Sequence, residues 1–208
     1  MASALKIGDD APPFSLSDSS GNMVSLEDYK GKKVYVMALR YSACMMCNLR
    51  VKQLTERNEK YKDAGLIVLP VFNTKPEHLE ERVSPKVFAS DDLHILIDPN
   101  GEAMSKYGTK SSCLGSAFGF GPCIQEAKHC NLFQGLCGYF NLSLQHCGCL
   151  GCGTNPFAMP GDFMVDEDGK IAKLAYGSAM GDHITWDEVD AFAGVATNES
   201  TPMAREAA

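Results

Sequence analysis

Two cysteines with two residues between them, Cys44-Met45-Met46-Cys47, have the spacing of a redox dithiol. A thiolate is the nucleophile that attacks disulfides or peroxides, and a second thiol one helical turn on can close an intramolecular disulfide. In this reading Cys44 attacks and Cys47 resolves. Arg40 and Arg50 are near in sequence and would add positive potential. A CxxC pair also occurs as half of a zinc site, or as two buried structural cysteines. The flanking elements favour the redox reading, because a redox pair needs a strand before it and a helix after it, whereas zinc pairs prefer loops and a second ligand pair.

Those elements are legible. Lys32 to Leu39 (KKVYVMAL) has a β-branched and aromatic centre and predicts a buried strand. From Asn48 to Asp63, apolar Leu49, Leu54 and Tyr61 fall among Lys and Glu, which predicts a helix stopped by Gly65. The dithiol thus sits at a helix start, where unpaired N–H groups and the helix dipole favour an anion. Such positions lower a Cys pKa from about 8.5 to roughly 3.5–7.5.

The rest of the chain reads as one fold built around this unit. Residues 1–31 are turns and short strands, punctuated by Pro12, Pro13, Gly21 and Gly31. Leu66 to Phe72 and His94 to Ile97 are further strands, with a helix from Pro76 to Val83 between them and a short one over Ala103 to Tyr107. Asp162 to Val165 and Ile171 to Tyr176 form a hairpin across Asp166-Glu167-Asp168-Gly169. Thr185 and Glu188 make a capping box for a last helix through Val195, and the tail from Asn198 is polar. Helices between strands imply an α/β fold with a central mixed sheet flanked by helices, its hairpin supplying an antiparallel edge.

Residues 109–158 stand apart as an insertion. They hold seven of the nine cysteines and only Lys110, Glu126 and Lys128 as charged residues. Apolar or cysteine residues at 123, 127, 130, 133, 137, 140 and 144 have helical spacing. Cys147, Cys149 and Cys152 form a CxCxxC near His129 and His146 that could hold zinc or an iron–sulfur cluster. Packing of Cys123, Cys130 and Cys137 along one helix face, or local thiol exchange, are the competing readings.

Composition narrows the function classes. With a net charge of -7, 45% hydrophobic and 22% charged residues, the chain is an ordinary globular protein with no footprint for nucleic acid or an acidic membrane. Leu66 to Phe72, the best apolar run, is too short to span a bilayer, and the start lacks a secretory pattern, so an intracellular compartment, cytoplasmic or organellar, is expected. His78 and His94 read as structural. His183 after Gly181-Asp182, and Asp162, are secondary candidates for the site.

The run PPFSLSDSSGNMVSLEDYKGKKVYVMALRYSACMMCNLR resembles thioredoxin-like proteins of the AhpC/TSA, or peroxiredoxin-like, group. They share a PxFxLxDxxGxxVSLxDYKGK opening and an RxxxCxxCNLR segment. Met159 to Gly169, Tyr176-Gly177 and Gly181 to Ile184 are similar to later parts of the same group. The likeness covers residues 8–108 and 158–194 of one thioredoxin-like domain, 1–208, and leaves out the insertion. It implies a thiol–disulfide oxidoreductase or a peroxiredoxin-like antioxidant enzyme, with a peroxide or disulfide substrate and a thioredoxin- or glutathione-type reductant. No cofactor is required, and a homodimer is one assembly open to it. It also implies that Pro160 is a cis-proline facing the dithiol. True peroxiredoxins carry Pro-x-x-x-Thr/Ser-x-x-Cys, whereas Tyr41 and Met37 stand at those places here, leaving Tyr41 or Ser42 to orient a peroxide. The alternative is a non-catalytic binding or metal-handling module that works through the insertion.

Overall fold

The structure, a computed structural model, describes residues 4–42, 44–76, 93–112 and 157–196. Residues 77–92, with His78 and all but the start of the helix expected from Pro76 to Val83, residues 113–156 of the insertion, with Cys147, Cys149 and Cys152, and the polar tail lie outside these residues.

Seven strands form one mixed sheet in the order β2-β1-β5-β4-β3-β6-β7. They are β1 (Ser15–Asp18), β2 (Met23–Ser25), β3 (Val34–Leu39), β4 (Ile67–Phe72), β5 (Leu96–Ile97), β6 (Gly161–Val165) and β7 (Ile171–Tyr176). The crossover strands β3, β4 and β5 are parallel, while β6 and β7 run antiparallel at one edge. This is the mixed sheet and hairpin edge expected from the sequence.

Every residue of β3 is buried, because the strand is central and covered on both faces. Its side chains alternate between two cores. Tyr35, Met37 and Leu39 join one, with Cys44, Cys47, Val51 and Leu54 of the helical side. Val34, Val36 and Ala38 join the other, with Phe14, Tyr107 and Phe163. The strand that delivers the dithiol is therefore clamped from both sides.

Helix α1 (Met45–Thr55) starts with Cys44 as its N-cap and ends earlier than the sequence pattern implies. A second helix, α2 (Asn58–Asp63), follows after a break at Glu56 and Arg57. Thr55 donates its hydroxyl to the Val51 carbonyl, a bond that bends helices, and the Arg57 N–H turns to Leu54, a tighter three-residue step. The break brings Tyr61 inward, where its hydroxyl donates to Asp190 at 2.7 Å.

Helix α3 (Glu102–Lys106) covers the other face, and α4 (Trp186–Ala193) closes the fold with the expected Thr185–Glu188 capping box. Among the described residues no helix is long and apolar enough to cross a membrane.

The Met159–Pro160 bond is trans, which corrects the cis-proline expectation. The trans form is the lower-energy X–Pro isomer by about 0.5–1 kcal/mol. Here Pro160 leads straight into β6, and its carbonyl accepts the Gly177 N–H at 2.9 Å. Gly177 is packed tightly against this proline. A Cβ there would lie 2.6 Å from Pro160 Cγ and 2.9 Å from the Asp182 carbonyl oxygen. Backbone atoms cannot yield as a flexible side chain would, so Gly177→Ala is expected to destabilise the protein by about 1–3 kcal/mol. Urea unfolding monitored by far-UV circular dichroism measures it.

Candidate active site

The end of β3 and the start of α1 set the dithiol in place. The Cys44 N–H donates to the Tyr41 carbonyl at 3.0 Å, and the Asn48 N–H returns to the Cys44 carbonyl at 3.0 Å. The Asn48 side chain fastens the turn by donating to the carbonyls of Ser42 (2.7 Å) and Cys44 (3.0 Å). Both cysteines are free thiols and fully buried.

The two sulfurs differ in their surroundings. The Cys44 thiol is held down to about 6 by the hydrogen bond from Cys47, which outweighs the cost of burial; the Arg40 guanidinium and the N–H groups of Cys47 and Met46 add to it. Burial pushes Cys47 well up, as do its hydrogen bond to Cys44 and the charge there. One sulfur is thus favoured as thiolate while its neighbour keeps its proton, the division of labour between an attacking and a resolving cysteine.

Arg40 contributes to this from a buried position, only 1% exposed. Its Nε donates to the Ala158 carbonyl at 2.8 Å, and Nη1 lies 3.8 Å from Cys44 Sγ. Its backbone N–H donates to Cys47 Sγ at 3.4 Å. The Tyr41 ring lies beside the guanidinium, 5.2 Å from centroid to Cζ. Ser42 shares a hydrogen bond with Thr74 at 3.1 Å.

Arg40 gives a direct prediction. A thiolate fraction rises with pH, so alkylation of Cys44 by iodoacetamide is expected to reach half its plateau near pH 6, given a Cys44 pKa of about 6. Arg40→Met removes an opposite charge, so the midpoint should move up by about one pH unit. A pH profile of the alkylation rate measures this.

Arg50, the other arginine flanking the dithiol, faces elsewhere. Its Nη2 donates to the Ile184 carbonyl (2.5 Å) and to the Tyr35 hydroxyl (3.3 Å), and its Cζ sits 3.6 Å from the Trp186 ring centroid.

Pro160 directly precedes Gly161, whose partner in β3 is Ala38, so it enters the sheet at the level of the β3 end that carries the dithiol. The Ala158 carbonyl that receives Arg40 lies two residues before it.

A buried polar group lies under the site that residue-by-residue reading does not assemble. Asp162, fully buried, accepts from the Tyr35 hydroxyl at 2.5 Å, from the Ile184 N–H at 2.9 Å and from His183 Nδ1 at 3.0 and 3.1 Å. Burial alone would raise its pKa; His183, Tyr35 and Arg50 together outweigh this and hold the carboxyl below its usual range. The sequence signals were an aspartate inside the apolar strand Gly161-Asp162-Phe163-Met164-Val165 and a histidine beside Gly181-Asp182. His94, in contrast, is a half-exposed surface partner of Asp18 at 3.3 Å. Among the described residues no group of three or more His, Cys, Asp or Glu is placed to hold a metal ion.

Known proteins share this architecture. Peroxiredoxin Bcp of Escherichia coli strain K12 is 30% identical over 104 residues, 50% of this chain and 65% of that protein. Thiol-disulfide oxidoreductase ResA of Bacillus thuringiensis subsp. konkukian is 29% identical over 107 residues, 50% of this chain and 58% of that protein. The chain thus spans less than two thirds of the length of these two relatives. The crystal structure of peroxidoxin BcpB from Mycobacterium tuberculosis superimposes with a TM-score of 0.59 at 16% identity, covering 91% of this chain and 97% of that one, which supports the thioredoxin-like fold. The model of the AhpC/TSA family matches residues 7–174, strand β3, the dithiol, β6 and the first part of β7 included, and the chain belongs to that family.

Proposed function

We propose that the protein is a thiol-dependent oxidoreductase in which Cys44 attacks an oxidised substrate and Cys47 resolves the adduct. The observation that carries this is the setting of the pair: Cys44 caps the start of α1 with Arg40 Nη1 3.8 Å from its sulfur, and Cys47 lies fully buried behind it, taking the Arg40 backbone N–H.

With a disulfide substrate, the Cys44 thiolate attacks one sulfur, forms a mixed disulfide and releases the other sulfur as a thiolate. Cys47 then gives up its proton and attacks Cys44 Sγ, which releases the second thiol and closes the Cys44–Cys47 disulfide. The substrate gains two electrons and the dithiol loses two. An external thiol of the thioredoxin or glutathione type returns the dithiol by the reverse exchange.

A peroxide is the second class of oxidant, favoured by the Arg40 guanidinium at Cys44 Sγ. Thiolate attack on the O–O bond would leave a sulfenic acid on Cys44 and release an alcohol or water, and Cys47 would expel water to close the same disulfide. The hydroxyls that would orient the peroxide argue for disulfides first. Ser42 is bonded to Thr74, and Tyr41 lies beside Arg40.

Single-turnover oxidation of the reduced protein separates the two classes. Hydroxyethyl disulfide is expected to oxidise the wild type in a reaction lost in Cys44→Ser, while hydrogen peroxide reacts within about tenfold of a free thiol of equal thiolate fraction. A peroxide reaction orders of magnitude faster would make the protein a peroxidase instead.

A further inference from the structure

A cavity of about 370 Å3 opens beside the dithiol, between α1 and the chain entering α4. That volume falls within the range of small-ligand pockets, roughly 300–1,000 Å3. Met46, Arg50, Gln53 and Arg57 bring one face of α1 and its end to it, starting inside the CxxC itself. His183 and Trp186 form the opposite wall. Gly181 lets the Met46 side chain lie flat there, since a Cβ would come 2.8 Å from Met46 Cε.

The walls carry both signs of polarity. Arg50 and Arg57 stack on Trp186, with Cζ 3.6 and 4.9 Å from its ring centroid. Buried Arg50 Nε has no hydrogen-bond partner. His183, its side chain only 4% exposed, turns Nδ1 to Asp162, and its Nε2 is also unpartnered. Asp187 adds a carboxylate to the lining. Unmade hydrogen bonds of buried groups are costly, so a ligand that completes both is favoured.

We propose that this cavity binds the α-amino-acid end of a small disulfide or thiol, its carboxylate on the arginine wall and its ammonium at Asp187, with His183 Nε2 the remaining polar contact. The remaining arm of the ligand then passes Met46 toward Cys44. This rests on the oxidoreductase reading for its role, but binding itself does not need a reactive dithiol.

The test uses S-methylglutathione, which carries the amino-acid end and cannot exchange disulfides. Trp186 is the single tryptophan, so its fluorescence reports on this cavity. Titration of the reduced full chain is expected to give a saturable change, checked by calorimetry. N-acetylated S-methylglutathione and inorganic phosphate should each bind at least tenfold more weakly. Arg57→Glu should weaken S-methylglutathione about tenfold, and Arg57→Gln less. No saturable binding, equal binding of phosphate, or indifference to both Arg57 variants would overturn the proposal. Loss of Cys44 reactivity with intact binding would instead overturn the oxidoreductase reading alone.

Discussion

Asp162→Ala is expected to cost about 3–5 kcal/mol of stability, the cost of leaving a buried charged network without one partner. The Tyr35 hydroxyl, the Ile184 N–H and His183 Nδ1 would all lose their acceptor at once. Against a total of roughly 5–15 kcal/mol this is a large fraction. In thermal unfolding it should lower Tm by on the order of 10 °C for a chain of this size. Asp162→Asn keeps an acceptor for the Ile184 N–H and should fall between the two.

The pH dependence has a definite sign. The folded Asp162 carboxyl lies below its usual range. Its unfolded value is about 3.9. The stabilisation is therefore complete above about pH 4 and is lost as pH falls through the lower folded value. Wild type should lose stability steeply in that acid window, and Asp162→Asn should lose less there. A guanidinium unfolding series across pH measures it. Equal acid slopes in the two proteins would show that the network is not a charged one.

Cys47→Ser is expected to turn a catalytic encounter into a trapped one. Cys44 keeps its buried Arg40 partner and its place at the N-cap of α1, so it should still attack a disulfide. Without the second thiol the mixed disulfide has no internal route to resolution. Turnover with hydroxyethyl disulfide and dithiothreitol should fall by about a thousandfold or more, while a stoichiometric adduct accumulates on Cys44. The serine hydroxyl can still donate to Cys44 in place of the Cys47 thiol, so the trapped reaction should keep a pH dependence close to that of wild type. Intact mass after a single disulfide addition reads the adduct. Full turnover in Cys47→Ser would remove Cys47 from the mechanism.

The parts of the molecule that local spacing encodes were readable before any coordinates. A buried strand, a CxxC and a helix follow one another within Val34 to Thr55, and every signal there is local. The β6–β7 hairpin announces itself by Asp166 to Gly169, and α4 by Thr185 and Glu188. What escaped is long-range or directional. Tyr35, Asp162 and His183 come from three separate segments and meet only because β3 pairs with β6. Arg40 and Arg50 flank the dithiol in sequence. One end of a strand aims Arg40 at Cys44, and the turn of α1 aims Arg50 at Trp186. The break between α1 and α2 was hidden because Lys and Glu continue across it, while the Thr55 hydroxyl that turns back on its own helix there leaves no mark in the spacing. The trans bond at Pro160 departs from what the family likeness implied.

The central claim is that Cys44 is the reactive member of a dithiol that closes on itself. Intact mass of the fully reduced protein after one equivalent of hydroxyethyl disulfide, beside Cys44→Ser, tests it most directly. The account predicts a loss of about two mass units in wild type, matching one intramolecular disulfide, and no reaction in this window for Cys44→Ser. A wild-type mass that stays fixed, or the same loss in Cys44→Ser, would contradict it.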